Sequence, residues 1–225
     1  MIEYLRFTAW YPSHWQKDFI IESSDFVIEN GKITALTGLN GSGKTTLIKT
    51  ILGLNPNGTG SLMINSEPQK TQLLPDLFFV GYAPEMNSET GNKTCSEILK
   101  LQATLNKTVK KNDSKLFGQK YLIEALQLDS YAGLPYNKLS KGTKKRVNIA
   151  MALLGKPEVL ILDEPFEGLD QEQRKRLKSL LMDIKKDRYI LISSHELMEL
   201  NTFCDDFLLV KEKLVLQASY NEIYK

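Results

Sequence analysis

The stretch G-L-N-G-S-G-K-T at residues 38–45 decides the fold. It fits the pattern G-x-x-x-x-G-K-[ST] and lies between a short apolar run, KITALTG, and an amphipathic run, TTLIKTILGL. Glycines allow the backbone to approach phosphates closely with its N–H groups turned inward, and the start of the following helix adds partial positive charge. Lys44 adds a full charge, and the Thr45 hydroxyl is suited to Mg²⁺. We therefore expect this loop to bind the phosphates of a nucleotide.

A second stretch, V-L-I-L-D-E-P at residues 159–165, combines a buried strand with two carboxylates. Four consecutive apolar residues are typical of a strand that is covered on both faces. Asp163 would lie at the carboxyl end of that strand, where open parallel sheets bind their ligands, and could reach the same Mg²⁺. Glu164 follows directly and is a candidate to orient or deprotonate an attacking water. Together the two stretches predict a P-loop nucleotide hydrolase.

The remaining sequence extends these two stretches into an α/β pattern. The N-terminal runs YLRFTAW, FIIES and DFVIE alternate polar and apolar residues, which predicts antiparallel strands. Helical periodicity dominates the middle of the chain, apart from a lysine-rich stretch at residues 107–115 that predicts an exposed loop. Strands and helices then alternate up to a closing hairpin, FLLVKEKLVLQ.

This pattern predicts one P-loop NTPase core with a mostly parallel sheet, an N-terminal antiparallel β subdomain and an inserted helical subdomain. We expect the core to comprise residues 1–83 and 156–225, and the helical subdomain to comprise residues 84–155. A chain of 225 residues and 25.6 kDa is long enough to bury such a core without disulfides.

Composition excludes several classes of protein. Lys and Arg number 29 against 27 Asp and Glu, and this balance argues against a nucleic-acid partner. Cys95 and Cys204 lack the spacing of metal ligands and predict free thiols in a reducing compartment, the cytoplasm. The sequence shows neither a signal-peptide pattern nor an apolar run of membrane-spanning length, so we expect a soluble protein.

The segment L-S-K-G-T-K-K-R at residues 139–146 indicates which kind of P-loop protein this is. In isolation it would be interpreted as a serine helix cap followed by basic residues on a solvated face. Beside the two stretches above, however, it makes the chain resemble the ABC ATPases, the nucleotide-binding subunits of ATP-binding-cassette transporters, whose signature motif reads LSGGQ before a basic stretch. The resemblance covers nearly the whole chain. It implies that the helical subdomain carries the signature, here Ser140, Lys141, Gly142 and Thr143.

The resemblance assigns roles to further residues. In the family, a Q-loop joins the core to the helical subdomain and senses Mg²⁺ and water, and the run VGYAPE places Glu85 there. The run GLD places Asp170 in the D-loop at the dimer interface, and His195 matches the switch histidine that contacts the γ-phosphate. The implied catalytic residues are Lys44, Glu85, Glu164 and His195. The implied Mg²⁺ ligands are Thr45, Glu85 and Asp163.

The implied ligand is ATP with Mg²⁺. Trp15 lies where the family usually places an aromatic residue that stacks on adenine, although Tyr11 and Trp10 are rivals and packing at a sheet edge is an alternative. The expected ATP contacts are Trp15, Gly38, Asn40, Gly41, Ser42, Gly43, Lys44, Thr45 and Thr46.

Three positions depart from the family pattern. Lys141 replaces the first signature glycine, Thr143 replaces the signature glutamine, and Glu85 replaces the Q-loop glutamine. Two placements stay open for the Lys141 side chain, near a γ-phosphate or in solvent. The GY-x-P-E version of the Q-loop resembles that of exporter ATPases, which predicts export.

The leading hypothesis is an ATPase subunit that powers a separate transmembrane permease subunit from the inner face of the cell membrane. Two copies, in a homodimer or a heterodimer, would close over two ATP molecules, with Lys44 of one and Ser140 of the other at each. One alternative is a soluble ABC-type ATPase that acts on DNA or ribosomes, which the near-neutral charge and the single cassette disfavour. Another is a nucleotide-binding regulator with little turnover.

Overall fold

The computed structural model describes residues 1–12, 17–21, 24–71, 73–85, 92–109 and 118–223. These residues form two compact units. The first comprises Met1–Phe79 with Lys185–Lys225, and the second comprises Val80–Ile184. The domain boundaries that we expect from the sequence stay a prediction.

The first unit contains an antiparallel sheet built around its first strand. Its strands are β1 (Ile2–Pro12), β2 (Lys17–Ile21), β3 (Phe26–Ile28), β5 (Gly58–Ile64) and β6 (Glu67–Pro68). The order is β2-β1-β5-β6, and β3 also pairs with β1. Because β1 pairs antiparallel with β2, β3 and β5, the prediction of N-terminal antiparallel strands is confirmed.

The same unit contains the strands that carry the phosphate loop. They are β4 (Ile33–Thr37), β9 (Tyr189–Ser193), β10 (Asp206–Lys211) and β11 (Leu214–Ala218). Strand β4 is buried along its whole length and pairs parallel with β9 on one side and β10 on the other. Strand β11 closes this edge as an antiparallel hairpin with β10, as the sequence predicts.

The helices of the first unit are α1 (Lys44–Ile51), α6 (Leu197–Leu200) and α7 (Tyr220–Ile223). Helix α1 follows β4 through the phosphate loop and buries Leu47, Ile48 and Ile51. Their spacing matches one face of a helix, so the amphipathic pattern of the sequence also sets how α1 packs.

The second unit combines two parallel strands with four helices. Strand β7 (Val80–Ala83) pairs with β8 (Val159–Asp163), and all five residues of β8 are buried. The helices are α2 (Cys95–Val109), α3 (Gln119–Ala125), α4 (Lys141–Leu153) and α5 (Gln171–Ile184). Parallel strands with helices in both units confirm the predicted α/β class.

Several predicted boundaries differ from the structure. The apolar run LFFVGYA at residues 77–83 predicts a strand, but only β7 forms, because the N–H groups of Leu77 and Phe78 donate to the Leu74 carbonyl oxygen of a 3₁₀ turn. Helix α2 continues to Val109, so the first residues of the predicted loop 107–115 are helical, and residues 110–117 lie outside the described part of the chain. The run ELMELNTFC at residues 196–204 predicts a helix, but the structure forms only the short α6 there.

Candidate functional site

The phosphate loop connects the end of β4 to the start of α1. Gly43 is the N-cap of α1 and has a φ of 106°, a left-handed conformation that side chains rarely adopt. Lys44, the first helical residue, is 7% exposed and its Nζ donates hydrogen bonds to the carbonyl oxygens of Gly38 at 2.9 Å and Leu39 at 3.3 Å. The ammonium group therefore reaches back across the loop that the sequence predicts to bind phosphate.

The structure brings His195 to the same edge of the sheet as this loop. Strands β4 and β9 are parallel with Leu36 opposite Ser193, and the Ser194 N–H donates to the Leu36 carbonyl at 3.1 Å. His195 comes next and is exposed, while β4 ends one residue after Leu36. Carboxyl ends of parallel strands are where open sheets bind ligands, so a histidine here faces the expected nucleotide region.

A cavity of about 330 Å³ lies beside the N-terminal half of α1. Thr45 and Thr46, two of the expected ATP contacts, contribute to its wall. The complete lining consists of Thr45, Thr46, Lys49, Leu54, Asn55, Pro56 and Asn57. The start of α1 thus has open space next to residues that the sequence singles out.

The acidic candidates lie together in the second unit. Asp163, the last residue of β8, is 1% exposed, and Glu164 is 8% exposed. Glu164 has a φ of +48°, a conformation that costs free energy in a residue with a side chain and that clusters at functional sites. Ala83 of β7 lies opposite Leu162 of β8, so Glu85 follows β7 at the same edge where Asp163 and Glu164 follow β8.

The donor chemistry of these residues fits Mg²⁺. A hydroxyl at Thr45 and carboxylates at Glu85 and Asp163 are the hard oxygen ligands that this ion prefers. Among the described residues, no three His, Cys, Asp or Glu side chains group closely enough to hold a metal alone. Mg²⁺ is usually bound by one or two carboxylates together with water and substrate phosphates rather than by a protein cage.

The pKa of the Tyr82 phenol is affected by these acids. Burial raises the pKa of its phenol well above the ordinary value, and the charges of Asp163 and Glu85 raise that pKa further. The phenol therefore stays neutral at physiological pH. It is an uncharged neighbour of the carboxylates rather than another titrating group.

The signature segment forms the beginning of α4. Ser140 is the N-cap, and its Oγ accepts a hydrogen bond from the Thr143 N–H at 3.2 Å. The two hydroxyls lie 2.9 Å apart, and Arg146 Nη2 donates to Thr143 Oγ1 at 3.3 Å. Thr143 is only 2% exposed, so its side chain is part of an internal hydrogen-bond chain. The predicted signature residues Ser140 and Thr143 thus also stabilise the first turn of α4.

Lys141 and Gly142 connect the signature to the segment that precedes Asp170. The Lys141 ammonium pairs with the Glu167 carboxylate, although its side chain remains 59% exposed. A Cβ added to Gly142 would lie 2.4 Å from the Gly168 carbonyl oxygen, so only glycine allows this approach. Both placements of Lys141 stay predictions, because a largely exposed side chain beside Glu167 fits a solvated lysine and also one that faces a nucleotide held by another copy.

Asp170 also has a structural role as the N-cap of α5, which was not predicted above. Its Oδ1 accepts a hydrogen bond from the Gln173 N–H at 2.8 Å, so it caps α5. The signal was available, since an Asp followed three residues later by Gln at the start of a helix is typical of a capping box. The exposed Asp170 therefore combines a cap with its predicted position in the D-loop.

Two basic residues after the signature, Lys145 and Arg146, are buried rather than exposed. Lys145 is 3% exposed and Arg146 is 5% exposed, so a solvated basic face is wrong for both. Arg146 Nη1 donates to the carbonyl oxygens of Leu126 at 2.8 Å and Gln127 at 2.9 Å. Ten of the 13 residues of α4 are buried, so the two cations within it need buried acceptors.

Trp15 lies outside the described residues. For its rivals Tyr11 and Trp10 the structure gives only a backbone position, in β1. Adenine stacking therefore stays a prediction for all three residues.

The sequence matches the family model described as ABC transporter over residues 21–167. Among curated proteins, the zinc uptake system ATP-binding protein ZurA of Listeria monocytogenes is 30% identical over 93% of this chain and 83% of that protein. The manganese transport system ATP-binding protein MntA of Synechocystis is 31% identical over 88% of this chain and 77% of that protein. Human ATP-binding cassette sub-family A member 10 is 32% identical over 84% of this chain and 12% of that protein.

Solved structures match the fold over almost the whole chain. An ATP-binding subunit of an ABC transporter has a TM-score of 0.81 and 28% identity, with 99% of this chain and 91% of that chain covered. The dimeric cassette MJ0796 has a TM-score of 0.80 over 98% of this chain and 99% of that one, and at 20% identity it supports the fold alone. No helix in the described part of the chain is both long and apolar enough to cross a membrane.

Proposed function

This chain belongs to the ABC transporter family as one of its ATP-hydrolysing cassettes, and we propose that it powers transport through a separate transmembrane permease subunit. The observation that carries the proposal is the phosphate loop at the start of α1, with Lys44 folded across it and His195 at the same sheet edge. A family match over both the loop and β8 supports reading these parts as one ATPase.

The proposed chemistry divides between the two units. In the first, the loop amides and the Lys44 ammonium bind the ATP phosphates, and His195 contacts the γ-phosphate. In the second, Glu164 accepts a proton from the attacking water or orients it. Thr45, Glu85 and Asp163 would hold Mg²⁺, which would supply charge neutralisation at the phosphates. Most of the catalysis in such a transfer comes from positioning and electrostatic stabilisation.

We also propose that two cassettes act together, each offering the Ser140 hydroxyl and the Gly142 N–H to ATP bound by the other. MJ0796, a cassette with the same fold, has been solved as a dimer. The permease would hold the pair at the inner face of the cell membrane. Export remains our prediction from the Q-loop. One relative, by contrast, is named as part of a zinc uptake system and another as part of a manganese transport system.

The test of the ATPase role is the substitution Glu164→Gln. It keeps size and shape but removes the proposed base, so we expect hydrolysis to fall roughly 100- to 10,000-fold while ATP binding persists. Phosphate release is measured with the native membrane partner in detergent or nanodiscs, and binding with a fluorescent ATP analogue. Equally negligible hydrolysis by the unsubstituted chain and the variant would instead identify a nucleotide-binding regulator.

The test of the transport role is copurification in gentle detergent. A multispan membrane protein that associates with the chain supports the proposal. Association with ribosomes or DNA in place of such a protein would contradict it. Transport direction follows from reconstituting the complex in vesicles and measuring on which side cargo accumulates when ATP is supplied outside.

A further inference from the structure

Lys145 is a buried cation next to the acidic candidates. Its Nζ donates hydrogen bonds to the carbonyl oxygens of Glu85 at 2.8 Å and of Asp163 at 3.3 Å. Glu85 lies two residues after β7 and Asp163 is the last residue of β8, while Lys145 itself is on α4. One side chain therefore joins the signature helix to both segments that carry acidic candidates in this unit.

Burying this ammonium group is costly unless its surroundings compensate. Burial lowers the pKa of Lys145, and the carboxylates of Glu167, Asp163 and Glu85 offset only part of that lowering. Both hydrogen bonds end on main-chain oxygens, so they fix the backbone at Glu85 and Asp163. A cation in this place thus does two things at once: it offsets nearby negative charge and it constrains two chain segments.

The neighbouring Arg146 shows that this placement is specific to Lys145. Both side chains are almost completely buried on α4. Arg146, however, donates to Leu126 and Gln127, which lie in the turn after α3. The sequence places two adjacent cations on α4, and only Lys145 of this pair donates to Glu85 and Asp163.

We propose that Lys145 is a positioning residue for ATP hydrolysis, which fixes the main chain at Glu85 and at Asp163 to the signature helix α4. A displacement of α4 then moves both acidic segments together. The effect on catalysis rests on the proposed roles of Glu85 and Asp163 as Mg²⁺ ligands. The hydrogen-bonded link from Lys145 to their main chain does not depend on those roles.

The link is tested first without nucleotide or metal, by amide hydrogen exchange of the full-length chain. Lys145→Met removes the ammonium group and keeps the apolar stem, and we expect amides in residues 80–85 and 159–164 to exchange about tenfold faster. Lys145→Arg, which keeps a cationic donor, should restore part of the protection. The matched control is Lys175→Met on the exposed face of α5, which should exchange like the unsubstituted chain.

The consequence for the site is tested by nucleotide affinity with Mg²⁺ and with EDTA. We expect Lys145→Met to lose most of the strengthening that Mg²⁺ gives, while affinity in EDTA, which depends on the loop at residues 38–45, stays within about twofold. The kcat should fall about tenfold or more, and the KM for MgATP should rise in step with the lost Mg²⁺-dependent affinity, because the expected defect lies at the metal ligands and not at the loop.

Unchanged exchange in Lys145→Met would overturn the proposal, as would an equal loss of affinity with and without Mg²⁺, which indicates general damage to the fold. If the unsubstituted chain itself shows no Mg²⁺ effect, the proposed metal ligands are wrong, and the exchange rates alone decide the role of Lys145. Should Lys145→Met not fold, Lys145→Gln takes its place; its shorter, uncharged side chain should still raise exchange at the same amides, and unchanged exchange in a variant whose amide cannot reach both carbonyl oxygens would overturn the proposal.

Discussion

Helices α1 and α4 both begin at a predicted ligand-binding segment, but their first turns are completed in different ways. Helix α1 starts after Gly43, a residue that has no side chain with which to cap the helix. Helix α4 starts after Ser140, whose hydroxyl accepts the hydrogen bond of the Thr143 N–H. Neither first turn contains an acidic residue that would complement the positive end of the helix.

This difference separates two kinds of binding segment. At α1 the backbone and Lys44 provide positive charge that an external phosphate can complement. At α4 the residues are tied to their own chain, since Ser140 caps the helix, Lys141 pairs with Glu167 and Gly142 packs against Gly168. Changes at α1 should therefore affect ligand binding first, and changes at α4 should affect stability first.

The largest expected effect is that of Lys44→Ala on nucleotide affinity. Hydrogen bonds to charged groups contribute roughly 1.5–3 kcal/mol, so ATP should bind roughly 10- to 150-fold more weakly. Isothermal titration measures this loss, and urea unfolding should show a far smaller change in stability. The control is Lys70→Ala, an exposed lysine outside both the loop and the cavity beside α1. If Lys44→Ala weakens ATP binding no more than Lys70→Ala does, the loop at α1 is not the phosphate site.

The fold followed from the sequence wherever one local signal acted alone. The apolar run before Asp163 gave a strand buried along its length, and the phosphate-loop pattern gave β4, the loop and α1 in that order. Boundaries were less predictable where local signals compete. Pro75 favours a 3₁₀ turn directly before the apolar run at residues 77–83, and the hydrogen bonds of Leu77 and Phe78 to the Leu74 carbonyl oxygen delay the start of β7.

The candidate site was predictable as a set of residues but not as a set of contacts. Glycine pattern and strand-end position identified Lys44, Asp163 and Glu164 because their chemistry depends on local backbone geometry. The burial of Lys145 was not predictable, since it depends on carbonyl oxygens of Glu85 and Asp163, far away in the chain. A local pattern of basic residues contains no information about such distant acceptors.

The second prediction concerns the close approach at the signature. In Gly142→Ala the new Cβ would lie 2.4 Å from the Gly168 carbonyl oxygen, so backbone must shift, and we expect a loss of about 1–3 kcal/mol in the free energy of unfolding. The control is Gly133→Ala, where no atom lies within 4 Å of the added Cβ and the change should stay within about 0.5 kcal/mol. Urea unfolding compares the two variants, and equal stabilities would show that the contact imposes no constraint.

The smallest expected effect is that of the Lys141–Glu167 pair. It tests whether the lysine at the start of α4 is bound to its own chain, unlike the lysine at the start of α1. The hydrogen bond with Glu167 raises the pKa of Lys141 above its ordinary 10.5. The stabilisation is therefore present at neutral pH and lost as pH rises through that raised pKa. Because the pair is exposed, we expect only a slight loss of stability, reduced by salt, in Lys141→Met and in Glu167→Gln, with no further loss in the double variant.

Hydrolysis rates of the same three variants complete that cycle. If Lys141 serves only to hold the segment before Asp170, Lys141→Met and Glu167→Gln should change kcat alike, because each removes the same ion pair. If Lys141 instead leaves Glu167 to bind the nucleotide held by another copy, Lys141→Met should lower kcat far more than Glu167→Gln does. That outcome would break the contrast between the two helices, since α4 would then present a lysine to phosphate as α1 does.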